Sequence, residues 1–233
     1  MGPSGGKRSG RLLQQRQQQY LQPGLQQGPR RHHSQRQRLN TTQRKASVQG
    51  LGHQTEQQPL GYHHLALFTH DMKAIHHFYE EVMEFELVKV EIQPHGEGWA
   101  KHFFYRMEDD SKFIAFWELH DVDGADAAKT DISTGLGLPP GINHIAFDVH
   151  SREELDARRK QWQDAGIDVL EIDHNWCRSI YTSDPNGNTV EFCLTTGAFD
   201  AADRERALAA LASNELGLSE PPGGMEVHKA NAA

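Results

Sequence analysis

Asn143-His144-Ile145-Ala146-Phe147-Asp148-Val149 is the stretch on which the reading of this chain turns. It is an apolar run of strand length, and it is followed at once by Ser151 and Glu154, an S-x-x-E capping box that opens a helix through Leu155, Arg158, Arg159, Trp162 and Ala165. Gly166 ends that helix. Strands are then expected at Ile167–Ile172, Ser179–Ser183 and Thr189–Thr195, the last two joined by the turn Asp184-Pro185-Asn186-Gly187. The order is β-α-β-β-β.

The same order occurs upstream. His64-Leu65-Ala66-Leu67-Phe68 reads as a buried strand, and Asp71 stands at a helix N-cap ahead of Met72, Ile75, Phe78, Tyr79 and Val82 at helical spacing. Strand-like stretches follow at Glu86–Ile92, His102–Met107 and Phe113–Leu119. Two copies of one unit are therefore expected, an α+β fold of paired βαβββ modules. Module one covers 62–121 and module two covers 142–197, with a Gly- and Pro-rich linker over 122–141, all inside one domain at 61–198. A short helix from Asp200 and a frayed tail from Glu220 complete the chain at 199–233.

Each unit opens on a histidine and closes on a glutamate. His64 with Glu118, in F-W-E-L, and His144 with Glu191, in T-V-E-F, stand 54 and 47 residues apart, a difference that one loop can absorb. Imidazole and carboxylate together suit a borderline divalent ion. Alternate side chains of a strand share a face, so the four residues can converge if two small sheets curl around one cavity.

Composition sets the surroundings. The net charge of -8 hides a division, because residues 1–50 carry ten of the 24 Lys/Arg and no Asp/Glu, leaving 14 basic against 32 acidic residues in the rest. An acidic body gives no support to nucleic-acid binding. No apolar run of about 18 residues is present, so no helical membrane span is expected. Cys177 and Cys193 are the only cysteines and form no disulfide framework, which suits a reducing, cytoplasmic setting. The Gln/Arg-rich leader over 1–60 is too poor in apolar residues to fold and is expected to be disordered. Its arginines leave organelle import open as a role, beside a solvated tail or a translated upstream stretch.

Over residues 62–197 the chain resembles the vicinal oxygen chelate superfamily, which includes glyoxalase I, fosfomycin-resistance proteins and extradiol ring-cleaving dioxygenases. The resemblance rests on H-H-L-A-L-F-T-H-D-M, F-Y-E-E-V-M-E-F-E-L-V, N-H-I-A-F-D-V and S-I-Y-T-S-D-P-N-G-N-T-V-E-F. It implies one divalent metal ion on His64, Glu118, His144 and Glu191, a small-molecule substrate chelated through vicinal oxygens, and a homodimer.

Two chemistries follow from that resemblance. An extradiol-type dioxygenase would use Fe(II) on His64, His144 and Glu191. Acid/base or hydrogen-bonding help would come from His174, Tyr181 and His120, with Trp176, Arg178 and Phe104 toward the substrate. A glyoxalase-I-like isomerase or lyase would use Ni, Zn, Co or Mn with Glu118 as a fourth ligand, and a glutamate as proton shuttle. A metal-free resistance or binding protein is the third class. The aromatic content favours a catecholic substrate and hence the first.

Overall fold

The computed structural model describes residues 61–108, 111–215 and 220–232. The expectations made for the leader lie outside these residues. Two sheets carry the fold. The first contains β1 (His64–Phe68), β2 (Glu86–His95), β3 (Gly98–Arg106) and β4 (Phe113–His120), in the order β1-β4-β3-β2. The second contains β5 (His144–Val149), β6 (Val169–Asp173), β7 (Cys177–Ser183), β8 (Thr189–Thr195) and β9 (Gly224–His228), in the order β5-β8-β7-β6-β9. In each sheet the opening strand lies parallel to the closing strand of its own βαβββ unit, and the other pairs are antiparallel. The expected duplication and its α+β class are what the structure shows.

The helices begin where the caps were read. Asp71 accepts a hydrogen bond from Ala74 N–H and starts α1 (Met72–His76), which continues as a wider π-helical turn over His77–Val82. Ser151 accepts from Glu154 N–H and starts α2 (Arg152–Asp164). The returning arm of that capping box lands one residue early, because Glu154 Oε2 accepts from His150 N–H. Gly166 closes the helix at φ +78°, a backbone region open to glycine at little steric cost. Asp200 and Asp203 cap α3 (Ala201–Leu211) reciprocally. The linker is built from two short 3-10 turns, Ala125–Ala127 and Thr134–Leu136.

One core serves both units. Ile75, Tyr79, Met83, Phe103 and Phe116 of the first pack in the same cluster as Leu155, Trp162, Ile180 and Phe192 of the second. Polar contacts tie the units as well. Tyr79 hydroxyl donates to the buried Asp184 carboxylate at 3.1 Å, Asn186 Nδ2 donates to Phe68 O at 3.0 Å, and Trp162 Nε1–H points at Met83 Sδ at 3.2 Å. The Asp-Pro-Asn-Gly turn therefore does two jobs, reversing the chain and fastening module two to module one.

The tail from Glu220 is not frayed. Residues Gly224–His228 form β9 and pair antiparallel with β6, from Val169 opposite His228 to Asp173 opposite Gly224. Glu171 is the physical reason. It is only 5% exposed, and it takes Arg152 and Arg178 at 3.0 Å and His228 Nε2 at 2.9 Å. His228 thus ties the last strand to a buried charge that must be satisfied.

Candidate metal centre

Strand register decides which proposed ligands share a face. In module two, Glu191 lies opposite Ala146, two residues along β5 from His144, so both side chains leave the sheet on the same side. They touch, with His144 Nε2 3.0 Å from Glu191 Oε2. Tyr181, directly across from Glu191 on β7, donates its hydroxyl hydrogen to Oε1 at 3.0 Å. His174 Nε2 lies 2.9 Å from the Tyr181 oxygen. Because the tyrosine hydrogen goes to Glu191, the imidazole is the donor in that contact. Burial, and then the Glu191 carboxylate beside it, push the Tyr181 hydroxyl far above its ordinary pKa.

The other nitrogen of His144 settles what the pair can hold. His144 Nδ1 is 3.0 Å from the carbonyl oxygen of Gly141, an atom that can only accept, so Nδ1 carries the hydrogen. In the neutral ring Nε2 then presents a lone pair to a carboxylate oxygen. Two lone pairs at 3.0 Å repel unless a cation sits against both, either a proton on Nε2 or a metal ion. Ligand atoms about 2.1 Å from an ion and roughly at right angles stand about 3 Å apart. A backbone carbonyl on the far nitrogen is also how metal-bound histidines are held. The two donor atoms of this pair suit a divalent ion as well as they suit a shared proton.

Module one presents a different arrangement. His64 pairs with Phe113 and Ala66 with Ala115, so the residue that stands to His64 as Glu191 stands to His144 is Ala115. Glu118 lies three residues further on, an odd step, and so leaves the sheet on the opposite side. There its carboxylate accepts from Met72 N–H at 3.2 Å, meets His120 Nε2 at 2.8 Å and lies 3.8 Å from Lys101 Nζ. The structure does not bring Glu118 to His64: its role is to cap α1 from the strand below. His120 goes with it, stacked on Trp99 with centroids 3.8 Å apart.

Two further expected site residues lie elsewhere. Arg178 alternates with Tyr181 onto the opposite face, where Glu171 and Asp173 take its guanidinium. Trp176 sits in the β6–β7 turn, 48% exposed, with its ring against Phe199. Phe104 is on the same face as His64, 5.6 Å away between ring centroids.

His102, which the sequence left without a role, shares that face. Its ring stacks on Trp117 at 3.7 Å, and its Nε2 is buried with no hydrogen-bond partner. Burial, then the neighbouring His64, lower its pKa. Strand alternation in H-F-F-Y, which puts His102 with Phe104, was the available signal. Cys193, two residues beyond Glu191 on the ligand face, has its thiol pushed up to about 12, first by burial. It is no nucleophile at neutral pH.

The ligand set is divided between the sheets. His144 and Glu191 form a pair, and among the described residues no group of three or more His, Cys, Asp or Glu is gathered closely enough to hold a metal ion. His64 faces out from the first sheet.

The profile of the Glyoxalase/Bleomycin resistance protein/Dioxygenase superfamily matches residues 61–192, which span both modules. The chain belongs to this superfamily. It is similar to a glyoxylase/bleomycin resistance protein/dioxygenase domain from Frankia sp. EAN1pec, at 16% identity and a TM-score of 0.46 over 59% of this chain and 99% of that one. A lactoylglutathione lyase from Agrobacterium tumefaciens aligns at 19% identity and a TM-score of 0.39, over 58% and 94% of the two chains. The fosfomycin resistance protein FosX from Listeria monocytogenes, in complex with Mn(II) and sulfate, aligns at 20% and 0.39 over 64% and 99%. No curated protein matches the chain. Superfamily membership covers enzymes and binding proteins alike, and no helix among the described residues is long and apolar enough to cross a membrane.

Proposed function

We propose that this chain is a metal-dependent ring-cleaving dioxygenase of extradiol type, acting on a small catecholic substrate, with His64, His144 and Glu191 as the residues that hold the ion. The observation that carries this reading is Ala115. With an alanine where module two has Glu191, the ligand set would be two histidines and one carboxylate rather than two of each. An ion held by three protein ligands would keep room for a chelating substrate and for dioxygen. The isomerase reading drew its support from Glu118, and that carboxylate is engaged with Met72 N–H and His120 on the other side of the sheet.

A divalent ion held there would supply Lewis-acid charge to vicinal oxygens, and Fe(II) in addition a redox partner for dioxygen. The chain's own residues do the rest. Tyr181 fixes Glu191 by donating to Oε1 and, with its pKa raised, stays protonated as a donor. With its Nε2–H given to Tyr181, His174 keeps a lone pair on Nδ1, and that nitrogen is assigned the proton of a bound hydroxyl. Phe104, and His102 stacked on Trp117, supply an aromatic surface beside His64 against which a planar ring can pack.

The test is direct. Protein loaded anaerobically with Fe(II) and given a panel of catechols should consume oxygen and form a yellow ring-fission product, and Tyr181→Phe should lower the rate roughly 10- to 100-fold. Absence of oxygen uptake across the panel, with turnover of a hemithioacetal by the Ni- or Zn-loaded protein, would overturn the reading in favour of isomerase chemistry.

A further inference from the structure

A buried nitrogen on the His64 face of the first sheet has no hydrogen bond. His102 is 7% exposed, and its Nε2 finds no partner among the described residues. The ring lies nearly parallel to Trp117 at 3.7 Å and against Phe104 at 4.1 Å, a slot that a phenylalanine would fill as well. Glu91, directly across on β2, has its carboxylate 3.0 Å from Lys89 instead. An unpaired polar atom in such a place costs stability, so packing alone does not call for an imidazole here.

Strand register shows what lies between His102 and the proposed ion. Three rows of side chains cross this face: His64 and Phe113, then Ala66, Ala115 and Phe104, then Phe68, Trp117 and His102. Two of the three side chains in the middle row are single methyl groups. Over that row the rings of His64 and His102 approach to 6.4 Å between centroids, close enough for one small molecule to touch both.

We propose that His102 is a specificity-determining residue, hydrogen-bonded through Nε2 to a neutral polar substituent, a hydroxyl or an amide, on the ring of the catecholic substrate. This rests on the reading of the site given above, in which the two vicinal oxygens go to the ion and His64 helps to hold it. The ring then packs on Phe104 above the alanines, and the substituent away from the ion meets His102. A hydroxyl or amide can both donate and accept, so it suits Nε2 in either tautomer. An alkyl group in its place leaves the nitrogen unpaired, and a site built to pair a polar group rejects the analogue that lacks it. An anionic substituent is disfavoured as well. Burial strips hydration from the charged imidazole and His64 opposes that charge, so a neutral ring offers a carboxylate no counter-ion, and Glu91 stands across from it.

The experiment measures binding to the full chain loaded with Zn(II), which is redox-inert, so that no turnover intervenes. Catechols bearing methyl, hydroxymethyl or carboxylate at ring position 3 or 4 are titrated by calorimetry. In one of the two series the hydroxymethyl compound should bind about 10-fold more tightly than its methyl and carboxylate counterparts. His102→Phe should erase that preference, mostly through weaker binding of the hydroxymethyl compound, and His102→Gln, which keeps a donor and an acceptor, should retain part of it. Without ligand, His102→Phe should raise Tm by about 3 °C, because an unpaired nitrogen has left a buried slot. Equal binding of the methyl and hydroxymethyl compounds, tightest binding of the carboxylate, or a preference that survives in His102→Phe overturns the inference and leaves the catecholic reading standing. A clear fall in Tm, the mark of a lost hydrogen bond, overturns it too. If no catechol binds the Zn(II) protein, the catecholic reading falls and the inference falls with it.

Discussion

Ala115 and Glu118 show how strand register decides what a carboxylate can reach. A carboxylate at the register position of Glu191 meets the opening histidine, whereas one three residues later meets a helix N-terminus. His144→Ala and Glu191→Gln should therefore each abolish binding of a divalent ion at micromolar concentration. Glu118→Gln should leave metal content unchanged and cost about 1 kcal/mol of stability through the lost contact at α1. Ala115→Glu offers the converse test. A second carboxylate on the ligand face, making a fourth ligand, should tighten binding of Mn(II), read by isothermal titration, while suppressing any oxygen uptake. Metal lost in Glu118→Gln, or retained in both His144→Ala and Glu191→Gln, would refute the assignment. His64, His144, Glu191, Tyr181 and Phe104 were legible in the sequence as strand-borne residues. Glu118 misled because F-W-E-L and T-V-E-F look equivalent as letters, while the true partner of T-V-E-F is F-I-A-F. Only strand register separates a shift of three, which moves a side chain to the other face, from a shift of two, which does not.

At the scale of elements, β9 was the strand that sequence reasoning lost. Met225-Glu226-Val227-His228 is too short an alternation to stand out, and it becomes a strand only because β6 offers an open edge and Glu171 a buried charge. Burial by itself would raise the Glu171 pKa, but Arg178, Arg152, His228 and Arg159 outweigh it and hold the carboxyl below its ordinary range. A depressed folded-state pKa means that its stabilisation is present above the unfolded value and is lost as pH falls through the folded one. Glu171→Gln should then cost about 2 kcal/mol at neutral pH, less than a fully buried pair because Arg152 and Arg178 are partly solvated. The gap in Tm between variant and parent should narrow as pH drops below 4. Deleting residues 221–233 should lower Tm by a similar amount and expose β6 amides to exchange. A gap that widens in acid would show that Glu171 is not the group anchoring the strand.

Across the whole molecule, a shared core fixes the two sheets to each other while His64 stays apart from the His144–Glu191 pair. The caps, the duplicated order and the Asp-Pro-Asn-Gly turn each follow from local rules and were readable from the letters. How far His64 lies from the His144–Glu191 pair depends on packing between modules, which no local rule supplies. β1 is the weakly held element, with His64, Leu65 and Ala66 all exposed, whereas Val190, Glu191 and Phe192 of β8 are buried. An ion bound by the pair and by His64 would have to draw β1 in, so binding should register there as lost opening motion. Hydrogen exchange of the full chain with and without Mn(II) should show slowed amides over residues 64–68 as well as beside His144. In His64→Ala, protection by the metal should vanish from β1 and persist near His144 and Glu191, with affinity reduced about 10- to 100-fold. If Mn(II) protects β5 and β8 in the parent protein and leaves β1 unchanged, His64 is no ligand and the ion is held by the second module alone.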